Sequence, residues 1–249
     1  MAAQPLRPPR GMHALVVDEL GQAIAAGELG YDSQLVPDEI GSHFGVSRTV
    51  VREAFKVLET KGMVEARPKT GTRVLPVERW DLLDRDVIGW RVAGPARDSQ
   101  LRELVELRTA VEPLAARRFA QTREQEAAVA TLRSHCEAMS AAIESGDASA
   151  FTTADIAFHT DLLTGSGNRI LAQIAGAVEA ALRAREDLHL LPDDLGPETV
   201  ASHQAITDAI ESGSAEEAER ATRALIDTAN DEITKQLQRQ GGGVSMART

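Results

Sequence analysis

The chain has a single cysteine, Cys136, so no disulfide within it can stand in for a hydrophobic core. Aromatic residues are nearly as scarce, at 3% of 249 residues with two Trp and one Tyr. A core must therefore be built mainly from Ala, Leu, Val and Ile within a 43% hydrophobic composition. No apolar run approaches the roughly 20 residues that span a bilayer. The start, MAAQPLRPPRG, lacks the apolar stretch of a secretory signal, so a soluble cytoplasmic protein is expected. There is no Gly-rich cofactor loop, no pair of histidines at the spacing of a zinc protease and no internal repeat.

Acid is plentiful. The formal net charge is −11, which by itself argues against a nucleic-acid partner. The distribution reverses that reading. Residues 1–79 carry 10 Lys/Arg and 10 Asp/Glu, so the whole excess lies beyond them. A neutral front with a local basic face can meet phosphates, while an acidic rear keeps the molecule soluble and off random DNA.

That basic face is residues 45–74, GVSRTVVREAFKVLETKGMVEARPKTGTRV. Ser47 sits at a helix N-cap, and at about 100° per residue Val51, Ala54, Phe55 and Leu58 share one side. Arg48, Thr49, Arg52 and Lys56 fall on the other. Lys61-Gly62 stops the helix, and Pro68-Lys69-Thr70-Gly71 turns a short hairpin. From Gly45 to Arg73 there are seven Lys/Arg against three Glu. An ordinary solvated helix would show one basic face; a basic hairpin tip beside it points to DNA. Helices are also expected at 13–26 and 36–44, making a three-helix module with a wing.

The stretch LVPDEIGSHFGVSRTVVREAFKVLETKGMVEARPKTGTRV resembles the winged helix-turn-helix of the GntR family of bacterial transcription regulators. The resemblance covers about residues 13–76. It implies DNA contacts at Ser47, Arg48, Thr49 and Arg52, with the wing at Lys69, Thr70 and Gly71. Many members carry Arg in the second helix where this chain has Asp38, which cannot make that phosphate contact. His43 is a further polar candidate on that helix.

Residues 78–96, ERWDLLDRDVIGWRVAGPA, read as a linker helix, and Trp80 and Trp90 are expected to lock it onto one domain. From Ser99 the pattern is helical throughout: 99–120, 123–145, 147–165, 168–190, 196–212 and 214–238. Breaks are expected at glycines, at Pro192 and at Pro197. The first 11 residues read as a loose basic arm and GGGVSMART as a flexible tail. The fold class is thus mainly α: a winged helix-turn-helix at 11–77, a linker at 78–96, and an antiparallel all-α bundle at 97–238.

Ionisable residues interrupt the apolar stripes of the bundle. Arg108 and Glu112 lie in the stripe of Leu101, Leu104, Val105, Val111 and Ala115, with Pro113 next to them to disturb the helix. Asp155 and His159 are four apart, beside Leu162, and His203 is in line with Val200, Ile206 and Ile210. Charged groups rarely go inside unless paired or metal-bound. One carboxylate and two imidazoles can ligate a divalent cation such as Zn, Ni or Mn, and Arg108 beside it would suit a carboxylate. From spacing alone, satisfied core histidines and a buried ion pair fit equally well.

AVEPLAARRFA, DIAFHTDLL with GSGN after it, and SHQAITDAI resemble the FCD ligand domain of the FadR-type GntR subfamily. That resemblance implies a metal held by Asp155, His159 and His203 at the base of an effector pocket, with Arg108 and Glu112 as effector contacts. A fourth His of many members aligns with Leu225 here. This absence, with the linker WDLLDRDVIGW, resembles the galactonate-operon repressor branch and implies a sugar acid as effector. His189 and Arg183 stand outside the pattern, as surface or pocket-rim residues.

The expectation is a homodimeric transcription repressor on a pseudo-palindromic operator, controlled by a small carboxylate at a metal site. Two alternatives use the same ligands. One is a regulator that senses the metal alone. The other is a metalloenzyme with two His and one carboxylate, which would leave the basic wing unexplained.

Overall fold

The computed structural model describes residues 11–122, 125–191 and 195–242. The basic arm, the break at Pro192 and most of the Gly-rich tail lie outside the described residues. The chain divides into two compact units between Gln100 and Leu101.

The first unit holds α1 (Met12–Ala25), β1 (Gln34–Leu35), α2 (Pro37–Phe44), α3 (Arg48–Thr60), β2 (Val64–Arg67), β3 (Gly71–Val74) and α4 (Arg85–Ala93). Its strands pair antiparallel in the order β1-β3-β2. The hairpin of β2 and β3 was expected; β1 was not. It is a two-residue edge strand, too short to show any alternation, and it forms because Gln34 and Leu35 lie beside Arg73 and Thr72. The core joins Val16, Leu20 and Ile24 of α1 to Val51, Phe55 and Leu58 of α3 and to Val64 and Val74 of the hairpin. Each such side chain contributes about 1.5–3 kcal/mol on leaving water.

Residues 78–96 are not one helix. Val77–Arg79 is a 3-10 turn, and α4 begins only after Asp84, whose carboxylate accepts from the backbone of Asp86 and Val87 at 2.9 and 3.2 Å. Both Trp residues fix the segment to the first unit. Trp80 Nε1 donates to the Leu75 carbonyl at 2.9 Å, and Trp90 Nε1 to Asp18 at 3.0 Å. The Trp90 ring lies over Gly21 so closely that a Cβ there would come within 2.5 Å of it. Lys61, buried at the end of α3, reaches Asp84 and Asp86 at 2.7 Å each.

The second unit is all helix among the described residues: α5 (Arg97–Ala120, apart from its first turn), α6 (Glu126–Ser145), α7 (Ala148–Gly165), α8 (Arg169–Asp187), α9 (Pro197–Glu211) and α10 (Ala215–Gly242). Their apolar faces close over Phe119, Leu132, Met139, Phe158, Leu162, Ile206 and Ile210. A second cluster, Ala115, Ile156, Leu163, Leu171, Val178 and Leu182, binds α8 to α5 and α7. Pro113 lies inside α5, which continues through it. Having no N–H, it leaves the Thr109 carbonyl without its helical donor, and Arg223 Nη1 of α10 donates there at 3.4 Å. Among the described residues no helix is long and apolar enough to cross a membrane.

Candidate functional site

The first unit presents α3 and the hairpin tip. Ser47 adopts the extended cap conformation and its hydroxyl accepts from Val50 N at 3.4 Å, which fixes the start of α3. Thr49 and Arg52 stand exposed on the helix. Arg52 and Lys56 line a shallow groove of about 220 Å³ between α3 and the wing strands. Lys69, Thr70 and Gly71 form the exposed turn, where Lys69 and Gly71 take φ of 68° and 80°. Arg48 is exposed too, but its guanidinium is held by Asp38. His43 is exposed, its ring edge against Phe44 at 4.8 Å.

The second unit holds a partly open cavity of about 190 Å³ that α5, α7, α8, α9 and α10 line together. At its wall Asp155, His159 and His203 converge, each buried, with their ligating atoms all within 4.8 Å of one another. The spacing explains how. Asp155 and His159 are one turn apart on α7, and His203 comes from the buried stripe of α9. His203 Nε2 lies 3.0 Å from Asp155 Oδ1, and His159 Nε2 lies 3.4 Å from the same oxygen.

The outer nitrogen of each ring faces an oxygen, with hydrogen-bond geometry at His203 and by proximity alone at His159. His203 Nδ1 meets the Thr199 carbonyl at 2.8 Å, and His159 Nδ1 lies 2.6 Å from Glu112 Oε2. A proton on Nδ1 of each ring would leave Nε2 free to ligate a cation; without a cation, an Nε2–H of either ring can donate to Asp155 instead. Arg108 Nη2 lies 3.2 Å from His159 Nε2. Two oriented imidazoles and a carboxylate, each ring steered by an oxygen behind it, form a donor set that fits a divalent cation.

Burial opposes ionisation of Asp155, but bonds and charge from His159 and His203 prevail and hold it well below the usual carboxylate range. Glu112 behaves alike: burial raises it, Arg108 and His159 overcome that, and it settles at about 2. Glu112 is 0% exposed and its oxygens go to Arg108 and His159, at 2.6 Å each. It stands behind the site and not on the cavity wall, so the expected direct contact with an effector gives way to a supporting place. Arg108 lines the cavity, with its Nε committed to Glu112. Leu225 also lines it. His189 and Arg183 lie exposed and off the lining, and Arg183 pairs with Glu179 at 3.1 Å.

One lining residue escaped the sequence reading. Arg185 is 8% exposed, and its Nε has no hydrogen-bond acceptor among the described residues. It shares the buried side of α8 with Leu171, Ala175, Val178 and Leu182, the same interruption of an apolar stripe that marked Arg108. Burial pushes its pKa down; Asp155 and Glu232 pull it up, and Arg108 adds to the fall.

A winged three-helix module followed by a helical bundle is the architecture of a DNA-binding transcription regulator. Residues 13–74 match the gntR family of bacterial regulatory proteins and residues 103–228 the FCD domain. The chain is 32% identical over 234 residues to the HTH-type transcriptional regulator YieP of Escherichia coli, covering 91% of this chain and 97% of that one. It is 30% identical over 213 residues to the galactonate operon transcriptional repressor of the same organism, covering 85% and 92%. Among solved structures it resembles Lar, described as controlling the Listeria monocytogenes agr system, with a TM-score of 0.60 at 19% identity over 92% and 99% of the two chains. Escherichia coli McbR/YncC follows with a TM-score of 0.52 at 19% identity over 91% and 99%. The chain belongs to the GntR family, with an FCD domain in its second unit. It is a transcription regulator.

Proposed function

We propose that this regulator is a homodimeric repressor whose hold on DNA is controlled by a small carboxylate bound at a divalent metal in the second unit. The observation that carries this reading is the convergence of His159 Nε2, His203 Nε2 and Asp155 Oδ1 at the wall of a 190 Å³ pocket. Residues 11–77 bind the duplex, 78–96 link, and 97–238 hold the effector.

On DNA, Arg48, Arg52 and Lys69 supply charge, and Thr49, Thr70, Ser47 and the Gly71 backbone supply shorter contacts in and beside the major groove. Two copies related by a two-fold axis read two half-sites, so the operator is pseudo-palindromic.

Asp155, His159 and His203 would hold the cation, which when bound offers open positions to an oxygen ligand. Glu112 keeps His159 in the ligating tautomer, and the Thr199 carbonyl does the same for His203. Leu225 offers no donor, so the protein supplies three ligands. Thr199, Ser202, Thr228 and Glu232 add polar groups to the lining, which suits a hydroxylated acid. The likeness to a galactonate operon repressor supports a sugar acid.

A thermal-shift screen of sugar acids and other small carboxylates, with and without added divalent metal, tests this. A carboxylate should raise the melting temperature only when metal is present. Stabilisation by metal with no further response to any acid would favour a metal sensor instead.

A further inference from the structure

The cavity holds two arginines with different obligations. Arg108 has Glu112 at 2.6 Å, so its charge is neutralised within the protein. Arg185 has no such ion pair among the described residues: it is 8% exposed, its Nε meets no acceptor there, and its side chain forms part of the cavity wall. A buried guanidinium without an anion is costly, and proteins retain such groups where a ligand completes them. Asp155 lies close enough to act through charge but is held by both histidines, and Glu232 acts only through charge.

Resting on the reading of this cavity as an effector site, we propose that Arg185, and not Arg108, is the residue that receives the effector's carboxylate. The planar fork of a guanidinium matches a carboxylate with two parallel hydrogen bonds. An organic monocarboxylate would supply the missing anion and leave the rest of its body toward the polar groups of α9 and α10. Arg108 then serves as a fixed platform between Glu112 and His159.

Melting curves of the full chain, recorded with and without zinc, test this with sodium galactonate, sodium acetate and uncharged galactitol as probes. The wild type is expected to melt higher with either carboxylate and to ignore galactitol. Arg185→Met is expected to need at least about tenfold more carboxylate for the same response. Without any probe it is expected to melt no lower than wild type, because an unpartnered charge has been removed. Arg185→Lys keeps the charge without the fork and is expected to fall between.

A wild-type-sized carboxylate response in Arg185→Met overturns the proposal. So does a wild type that answers galactitol as well as galactonate, or answers no carboxylate. A Met variant that melts lower than wild type would mark a structural cation with an internal partner and also overturns it. Zinc stoichiometry by calorimetry separates this from the reading beneath it. Equal zinc binding in wild type and Arg185→Met, with the carboxylate response lost, assigns the loss to Arg185. A wild type that binds no zinc sinks the metal site and leaves the zinc-free curves to decide on Arg185.

Discussion

Arg48 Nη2 donates to Asp38 Oδ2 at 2.7 Å, tying the first turn of α3 to the first turn of α2. Both side chains are exposed, 71% and 59%, so the pair adds little to stability. Its proposed effect is on DNA: a carboxylate would cancel a cation on the face proposed to meet phosphates. Asp38→Asn should free Arg48 and raise affinity for random duplex. The slope of log K against log salt should steepen by about one. Fluorescence anisotropy over a salt series measures this, and an unchanged slope would show that Arg48 reaches no phosphate.

Arg52 sits on the exposed side of α3, opposite the core residues Val51 and Phe55. Arg52→Ala should therefore leave folding within about 0.5 kcal/mol of wild type. Binding to duplexes selected in vitro should fall at least about tenfold, with metal stoichiometry and the carboxylate-induced melting shift unchanged. Equal DNA affinity in a gel-shift titration would remove Arg52 from the interface.

Glu112 is held at about 2 against an ordinary 4.5, so it binds protons more weakly folded than unfolded. A depressed carboxylate stabilises the fold above its unfolded value and loses that contribution as pH falls through the window from 4.5 toward about 2. Melting temperature of the metal-free protein should drop across that window, and less steeply in Glu112→Gln. Parallel curves for the two proteins would mean that Glu112 is not the group being protonated.

Much of this was legible in the sequence, for stated reasons. Ser47, the Val51-to-Leu58 stripe and the Pro68–Gly71 turn are local signals, and α3 and the hairpin follow from them. The convergence of Asp155 and His159 follows from one helical turn; that His203 joins them depends on how α9 packs, which only the family resemblance supplied. Glu112 lies in the apolar stripe of α5 as expected, but behind His159 and off the cavity lining, because spacing gives a face and not a depth. Arg185 interrupts the apolar stripe of α8 as Arg108 interrupts that of α5, while Arg183, two residues earlier, falls outside it. β1 and the 3-10 turn at Val77–Arg79 had no periodicity to read.

The two units are joined in function only if the acid acts through the metal. His203 offers the cleanest handle, since its Nε2 faces Asp155 at 3.0 Å and His203→Ala removes a ligand without touching α3. The decisive measurement is operator affinity by anisotropy, with and without galactonate, for zinc-loaded protein, chelator-stripped protein and His203→Ala. Galactonate should weaken DNA binding in the zinc-loaded wild type alone. Equal weakening in the stripped protein or in His203→Ala would contradict a metal-held effector.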